Sequence, residues 1–391
     1  MNLDFSPEER LFRAEVRNWL HDNIPSAKRP GTGWAMREFD LAWQRTQYDG
    51  GWAGIAWPAE YGGRGLSLVE QMIWYEEYAR ADAPTSMGTT FVGNSHAGPT
   101  LINRASAEHK AFHLPRILKG EVAWCQGFSE PGAGSDLASL RTRAVIDGDH
   151  LVVNGQKIWT SYADTADYQE LLVRTDPDSA KHRGISWVIC DMKSPGITIR
   201  PIMSISGEAH FCEVFYDDVR IPLRNVVGEV NDGWSVAMAT LSFERGTAFM
   251  ADQVAGARRL ERLIELAKTV KGPDGRRAAI EDEHHGRQLA MLRAELTALH
   301  SMTLAIVSRN LRQSSPGAEG SMVKLYFTEV EQRMQQLAMD ILGNAGLQHS
   351  DDATSWSHHY LHSYASTIGG GTSEIQRNII GERVLGLPRS K

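Results

Sequence analysis

The sequence predicts an α+β multidomain chain built in three parts. These are an N-terminal helical domain, a middle antiparallel β-barrel or sandwich domain, and a C-terminal helical bundle. Three observations carry the expectation. Apolar residues recur at helical spacing early in the chain, as in Leu11, Phe12, Val16, Trp19 and Leu20. Short strand-like runs broken by Asp-Gly and Asn-Gly dipeptides follow. Long helical periodicity then returns and persists. The expected boundaries are 1–121, 122–231 and 232–391.

The elements follow in order. Ser6-Pro7-Glu8-Glu9 is a capping box with proline at the first helical position. Gly50 to Gly65, rich in glycine and aromatic residues, reads as an ordered loop. Ser67 to Glu70 repeats the capping box ahead of a helical stretch from Met72 to Ala81. Strands are expected at 142–146, 150–153, 158–161, 170–174, 185–191, 197–202 and 212–219, with turns at Asp147-Gly148 and Asn154-Gly155. No long helix separates them, which favours antiparallel pairing over a doubly wound sheet. Long helices are expected over 234–269, 284–312 and 321–342, separated by Gly272-Pro273-Asp274-Gly275 and Ser314-Ser315-Pro316-Gly317. No internal repeat is present, which argues against a solenoid.

Composition narrows the function. The chain has 391 residues, 42% hydrophobic and 23% charged, which is ordinary for a folded protein. Its net charge of −7, with no basic block beyond the neighbourhood of Arg276-Arg277, argues against nucleic acid as a partner. No apolar run reaches the length of a membrane span. Three widely spaced cysteines, Cys125, Cys190 and Cys212, form neither a disulfide framework nor a zinc ribbon. With an N-terminus unlike a signal or transit peptide, the expected location is the cytoplasm.

Several segments have the chemistry of a site. Gly132-Ala133-Gly134 permits close approach of a ligand to backbone N–H groups. Trp159 and Ser161, two apart in a strand, share one face, so that an indole can cover a flat ring while a hydroxyl meets its edge. Thr372 or Ser373, after three glycines, reads as a helix N-cap, where anions are favoured. His358, His359 and His362 include an i,i+4 pair but no HExxH motif, and read as ordinary helix-surface histidines, so no metal is expected. Met238 and Met250 read as helix core.

Six segments, in order, resemble the acyl-CoA dehydrogenase family. They are Pro58-Ala59-Glu60-Tyr61-Gly62-Gly63, Cys125 to Asp136, Lys157-Ile158-Trp159-Thr160-Ser161, Phe215 to Pro222 with Gly233-Trp234, Ile341 to Gly346, and Gly371 to Arg377. The resemblance implies FAD as cofactor and an acyl-CoA thioester as substrate. It implies that Gln126, Phe128 and Ser129 line the flavin, with Trp159 beside its ring and Ser161 near its redox nitrogen. Thr372 and Glu374 are implied at the diphosphate or adenosine end, and Gly343 in a loop reaching a neighbouring subunit's FAD. Ser135 is implied at the CoA. An electron-transfer flavoprotein as acceptor and a homodimer or homotetramer also follow from the resemblance. Two departures stand out. Asp340 replaces the family's usual glutamine, and the Arg-x-x-Phe-Gly segment expected near Lys271 to His285 is absent.

The reaction needs a base for the α-proton of the thioester. Many family members carry it as a glutamate just before the Gly-Thr of the C-terminal motif, where this chain has Gly370. A second position, used in the isovaleryl-CoA dehydrogenase branch, matches Glu244 in Leu241-Ser242-Phe243-Glu244-Arg245. Glu244 is therefore the expected base, with Arg245 beside it toward substrate. Apolar neighbours such as Leu241 and Phe249 favour a raised carboxyl pKa. Gly370 retains a role through its backbone N–H at the thioester carbonyl, and the glycines leave room for a branched or bulky acyl group. The expected product is a trans-2-enoyl-CoA. Two alternatives remain: a flavin oxidase or monooxygenase of the same fold, and one subunit of a heteromeric dehydrogenase.

Overall fold

The computed structural model describes residues 5–243, 249–311, 317–348 and 355–388. The chain divides into two compact units. One comprises Asn23–Leu66 and Pro84–Glu244; the other comprises Met1–Asp22, Ser67–Ala83 and Arg245–Lys391.

Five helices come first: α1 Pro7–Asn23, α2 Gly33–Asp49, α3 Leu68–Arg80, α4 Gly98–Arg104 and α5 Ala107–Leu118. Both expected capping boxes form. Glu9 N donates to Ser6 Oγ at 3.1 Å while Ser6 N donates to Glu9 Oε2 at 2.7 Å. Ser67 and Glu70 make the same reciprocal pair at the start of α3.

Eight strands follow: β1 Trp124–Gly127, β2 Arg143–Asp147, β3 His150–Ser161, β4 Tyr168–Arg174, β5 Ile185–Asp191, β6 Ile197–Ile202, β7 Phe211–Pro222 and β8 Val226–Val227. They form one sheet in the order β6-β7-β3-β2-β4-β5-β8, with β1 added to β4. Most pairings are antiparallel; β1·β4 and the short β2·β4 contact are parallel. Strands β4 and β5 are buried on both faces, so alternate residues enter two cores. Leu172, Trp187 and Ile189 pack with Leu101, Leu114, Leu118 and Val236 of the helices. Leu171, Val173, Val188 and Cys190 pack instead with Leu151, Val153, Cys212 and Val214 of β3 and β7.

The Asn154-Gly155 turn expected from sequence does not form. Strand β3 runs unbroken through it, and Gly155 sits at a register shift opposite β7. A Cβ at Gly155 would stand 2.7 Å from Thr142 Cα. Asn154 Nδ2 donates to Asp218 Oδ1, and Asp218 N donates back to Asn154 Oδ1, each at 2.9 Å. The dipeptide thus serves a bulge and a close backbone approach, the other reading of a glycine inside a strand.

Helix α6 spans Gly233–Phe243 in the first unit. In the second lie α7 Phe249–Thr269, α8 Glu283–Asn310, α9 Gly320–Leu342, α10 Trp356–Ser366 and α11 Ser373–Ile379. Leu260, Leu263, Leu292, Leu299, Met334 and Leu337 form their shared core. Met250 is fully buried, as expected, while Met238 is half-buried. Of the α10 histidines only His362 is exposed. His358 is buried and His359 half-buried, and the rings of His358 and His362 stack 6.0 Å apart. Burial, with Arg259 nearby, lowers the pKa of His359 to about 3. No metal-binding cluster exists among the described residues.

Candidate active site

In the sheet unit, β1 delivers a loop that the centre of β3 holds in place. Lys157 is 0% exposed, and its Nζ donates to Phe128 O at 3.0 Å and to Glu130 Oε1 at 2.8 Å. Glu130 also accepts from Arg141 N at 2.7 Å and Thr142 N at 2.8 Å. Burial works to raise the Glu130 pKa, but the Lys157 charge and these hydrogen bonds outweigh it, and the carboxyl ends below its ordinary value. Burial brings Lys157 down to about 8, against the opposing pull of Glu130. Ile158 N donates to Ser129 O at 3.0 Å, so the backbone of 128–130 is tied to 157–158 along its length. Glu130 and Ala133 exchange backbone hydrogen bonds at 3.0 Å, closing the glycine loop on itself. Added Cβ atoms at Gly132 and Gly134 would meet nothing within 4 Å, so this face is open.

Trp159 follows directly. Its backbone is left-handed at φ 61°, and its indole is 57% exposed. Tyr162, three residues on, is left-handed too at φ 57°. A second register shift, between Lys157 and Thr160, accompanies this geometry. Thr160 points into the protein, while Trp159 and the half-buried Ser161 lie on its outward side. An exposed indole on a strained backbone is the kind of local conformation that a ligand site retains.

The expected site residues differ in what they do. Phe128 is buried, Ser129 partly so, and Ser135 exposed. The side-chain amide of Gln126 turns to a buried polar group, donating to Glu170 Oε1 at 2.8 Å and lying 3.1 Å from His96 Nδ1. Glu244 and Arg245 lie outside the described residues.

In the other unit, the glycines after α10 form a tight turn. Gly370 and Gly371 have φ of 64° and 89°. Lys324 Nζ donates to Ser366 O at 3.1 Å and Gly371 O at 2.7 Å, and Gln376 Nε2 donates to Gly370 O at 2.9 Å. Thr372 caps α11, its hydroxyl accepting from Ile375 N. Among the described residues, the N–H groups of Gly370, Gly371 and Thr372 take no acceptor. Glu374 is exposed in the first turn. Gly343, at φ 53°, stops α9 with an open face. Where the resemblance implies an Arg-x-x-Phe-Gly segment, Gly272 to Arg277 forms a turn in which Asp274 accepts from Arg276 N and Arg277 N.

Comparison with known proteins follows the same order of segments. Family models described as the N-terminal, middle and C-terminal domains of acyl-CoA dehydrogenase match residues 6–121, 125–219 and 231–385. Acyl-CoA dehydrogenase IpdE1 of Mycobacterium tuberculosis is 43% identical over 386 residues, covering 97% of each chain. The chain belongs to the acyl-CoA dehydrogenase family. Its members are FAD-dependent flavoprotein oxidoreductases. Among solved structures, one described as the Tcur3481-Tcur3483 steroid ACAD has a TM-score of 0.85 at 33% identity, covering all of both chains. The ChsE4-ChsE5 complex from Mycobacterium tuberculosis has a TM-score of 0.83 at 34% identity, again covering both chains fully.

The residues of this acyl-CoA dehydrogenase suit FAD. In one unit, an exposed left-handed tryptophan stands beside an open glycine loop. In the other, three consecutive backbone N–H groups lack acceptors, which is the donor set an anion such as a diphosphate takes. Sequence reasoning gave Lys157, Glu130 and Lys324 no role. A signal for Lys157 existed: it falls in phase with Leu151 and Val153, on the inward side of β3.

Proposed function

We propose that this chain catalyses α,β-dehydrogenation of an acyl-CoA thioester to a trans-2-enoyl-CoA, with Glu244 as the base. The exposed indole of Trp159 on a left-handed backbone, tied by Ile158 N to Ser129 O, is the observation that carries the reading. Bound FAD supplies the acceptor for the substrate's β-hydride. Around it, Phe128, Ser129, Trp159 and Ser161 line the ring, and Thr372 and Glu374 serve the diphosphate or adenosine end. Gly343 belongs to the loop that meets a neighbouring subunit's cofactor. Gln126 acts through its backbone, since its side-chain amide is engaged by Glu170 and His96.

Glu244 removes the α-proton, and Arg245 beside it helps hold substrate. Position 370 has no side chain, so no carboxylate stands there; its N–H is the donor for the thioester carbonyl. Ser135 meets the CoA. The missing side chain at position 370 supports a bulky acyl group, and the likeness to the structure described as a steroid ACAD supports a steroid-derived one. Electrons leave to an electron-transfer flavoprotein. No described helix is long and apolar enough to cross a membrane. Three buried, unpaired thiols support a cytoplasmic location.

Anaerobic titration of the purified chain with a panel of acyl-CoAs, read by flavin absorbance, tests the reading. Bleaching by a bulky alicyclic acyl-CoA is the expected outcome. A yellow protein that no acyl-CoA bleaches sinks it in favour of an oxidase or monooxygenase. A second reading rests on the missing Arg-x-x-Phe-Gly segment: a related second chain completes the cofactor site. Protein that is yellow and active alone, as a homodimer or homotetramer, removes that reading.

A further inference from the structure

Two buried side chains hold the glycine turn between α10 and α11 from behind. Lys324 on α9 is 7% exposed, and Gln376 on α11 is 2% exposed. Lys324 Nζ donates to Ser366 O at 3.1 Å and to Gly371 O at 2.7 Å. Gln376 Nε2 donates to Gly370 O at 2.9 Å and to Gly371 O at 3.3 Å. Ser366 ends α10, where carbonyls lack helical partners and a cation is favoured. A Cβ at Gly371 would stand 2.7 Å from Gln376 Nε2, so glycine at this position admits the amide.

A trans peptide points its C=O and N–H in opposite directions. Anchoring the oxygens of Gly370 and Gly371 inward therefore turns the N–H groups of Gly371 and Thr372 the other way. Neither N–H has an acceptor among the described residues. A hydrogen bond received at the oxygen also polarises the peptide and strengthens its N–H as a donor. The effect is larger when the bond comes from a charged group. The Lys324 ammonium sits at the oxygen of the peptide whose other end is Thr372 N–H. Glu374, two residues past Thr372, is exposed, so water screens its opposing charge, while Lys324 acts from the interior.

Burying an ammonium is costly, and an apolar side chain would fill the same space without that cost. Its position behind two outward N–H groups gives it a use. We infer that Lys324 is a positioning residue for the cofactor. Acting through the Gly371–Thr372 peptide, with Gln376 at the peptide before it, Lys324 orients and strengthens the N–H donors that take the FAD diphosphate. The inference rests on the reading above that puts Thr372 at the diphosphate or adenosine end, and it selects the diphosphate.

The test starts with titration of apoprotein by FAD. Lys324→Gln removes the charge and keeps a donor, and is expected to bind FAD roughly ten-fold more weakly. Lys324→Arg keeps the charge and is expected to stay within about three-fold of wild type. Gln376→Met removes a neutral donor, and its loss is expected to be smaller than that of Lys324→Gln. Phosphorus NMR of the FAD-saturated proteins then reads the diphosphate itself. Its resonances are expected to move between wild type and Lys324→Gln. Weaker binding with unmoved resonances assigns Lys324 to general folding of the turn and overturns the inference. So does unchanged affinity in Lys324→Gln, or a Lys324→Arg variant as weak as Lys324→Gln. If Lys324→Gln does not fold, the other two variants decide, and unmoved resonances in both overturn the inference. A wild-type chain that takes no FAD refutes the cofactor assignment and the inference together. A chain that binds FAD through Lys324 but oxidises no acyl-CoA refutes the dehydrogenase reading and leaves the inference standing.

Discussion

Nζ of Lys157 lies 2.8 Å from Oε1 of Glu130, with the lysine wholly enclosed and the carboxylate fixed by two backbone N–H groups. The pair joins the middle of β3 to the loop bearing Phe128 and Ser129. Removing one partner leaves an uncompensated charge in the interior. Lys157→Met is expected to lower unfolding stability by about 3–5 kcal/mol, as for other broken buried pairs. Glu130→Leu added to Lys157→Met is expected to recover part of that, since an apolar pair leaves no orphan charge. Urea unfolding of the two variants checks this, and FAD content of the purified protein should fall with Lys157→Met. A loss under about 1 kcal/mol would mean that the charge finds water or another partner.

Trp159 makes a different forecast. A left-handed backbone costs a non-glycine residue on the order of 1–3 kcal/mol unless something holds it there. Trp159→Gly removes that strain, and little burial is lost because the indole is 57% exposed. The variant should therefore unfold no earlier than wild type in the flavin-free protein, while its affinity for FAD drops. Calorimetry of apoprotein and fluorescence titration with FAD separate the two effects. Marked destabilisation of the apoprotein would assign the indole a packing role, against Phe211 6.1 Å away.

Much of this arrangement was legible in the residues, and the gaps have physical causes. Both capping boxes were readable because the bonds are local, closed within three residues. Strands 185–191 and 197–202 were readable from apolar runs between turn residues, and β5 and β6 occupy those bounds. Asn154-Gly155 misled because its partner, Asp218, is 64 residues away in sequence. A local hairpin signal cannot register a long-range bulge. Strand β1 was not foreseen: Trp124–Gly127 is short, and β4 recruits it in parallel from across a long connection. His362 is exposed as read, but His358 and His359 are covered, because a polar side chain's burial depends on what packs over it. Phe128, Ser129, Trp159 and Ser161 were found through motif resemblance, whereas the Lys157–Glu130 clamp beneath them had no such label.

The C-terminal unit should have a pH signature. Burial, reinforced by Glu331 and only partly opposed by Arg259, raises the pKa of Asp252 to about 6. Its unfolded value is near 3.9. Between about pH 4 and 6 the folded chain thus holds the extra proton, so this group's contribution favours folding below that window and is lost as pH rises through it. Asp252→Asn is expected to be more stable than wild type at pH 7.5, by at most about 2–3 kcal/mol, and equal to it near pH 4. His359 works in the opposite direction. Its folded pKa of about 3 lies below the unfolded value, so its contribution is present above about pH 6.5 and lost as pH falls toward 3. Thermal unfolding of the variant and wild type at matched pH isolates the Asp252 part. A constant difference across the range would show that Asp252 stays ionised in the fold.

The last forecast concerns the base, where two positions compete. A glutamate at 370 is the family's common solution, but here the backbone is left-handed at φ 64°, and any L side chain would be strained there. Glu244 is the carboxylate the sequence offers in its place. Glu244→Gln keeps the shape and removes the proton acceptor. Loss of a positioned general base typically costs about 10²–10⁴ in rate. The variant should therefore stay yellow and bind acyl-CoA, with flavin reduction in single turnover slowed by at least about a hundred-fold. Gly370→Glu added to it should not restore the rate, because the strained backbone would not aim the new carboxylate. Recovery in that double variant would move the base to the C-terminal turn, and undiminished reduction in Glu244→Gln alone would falsify Glu244 as the base.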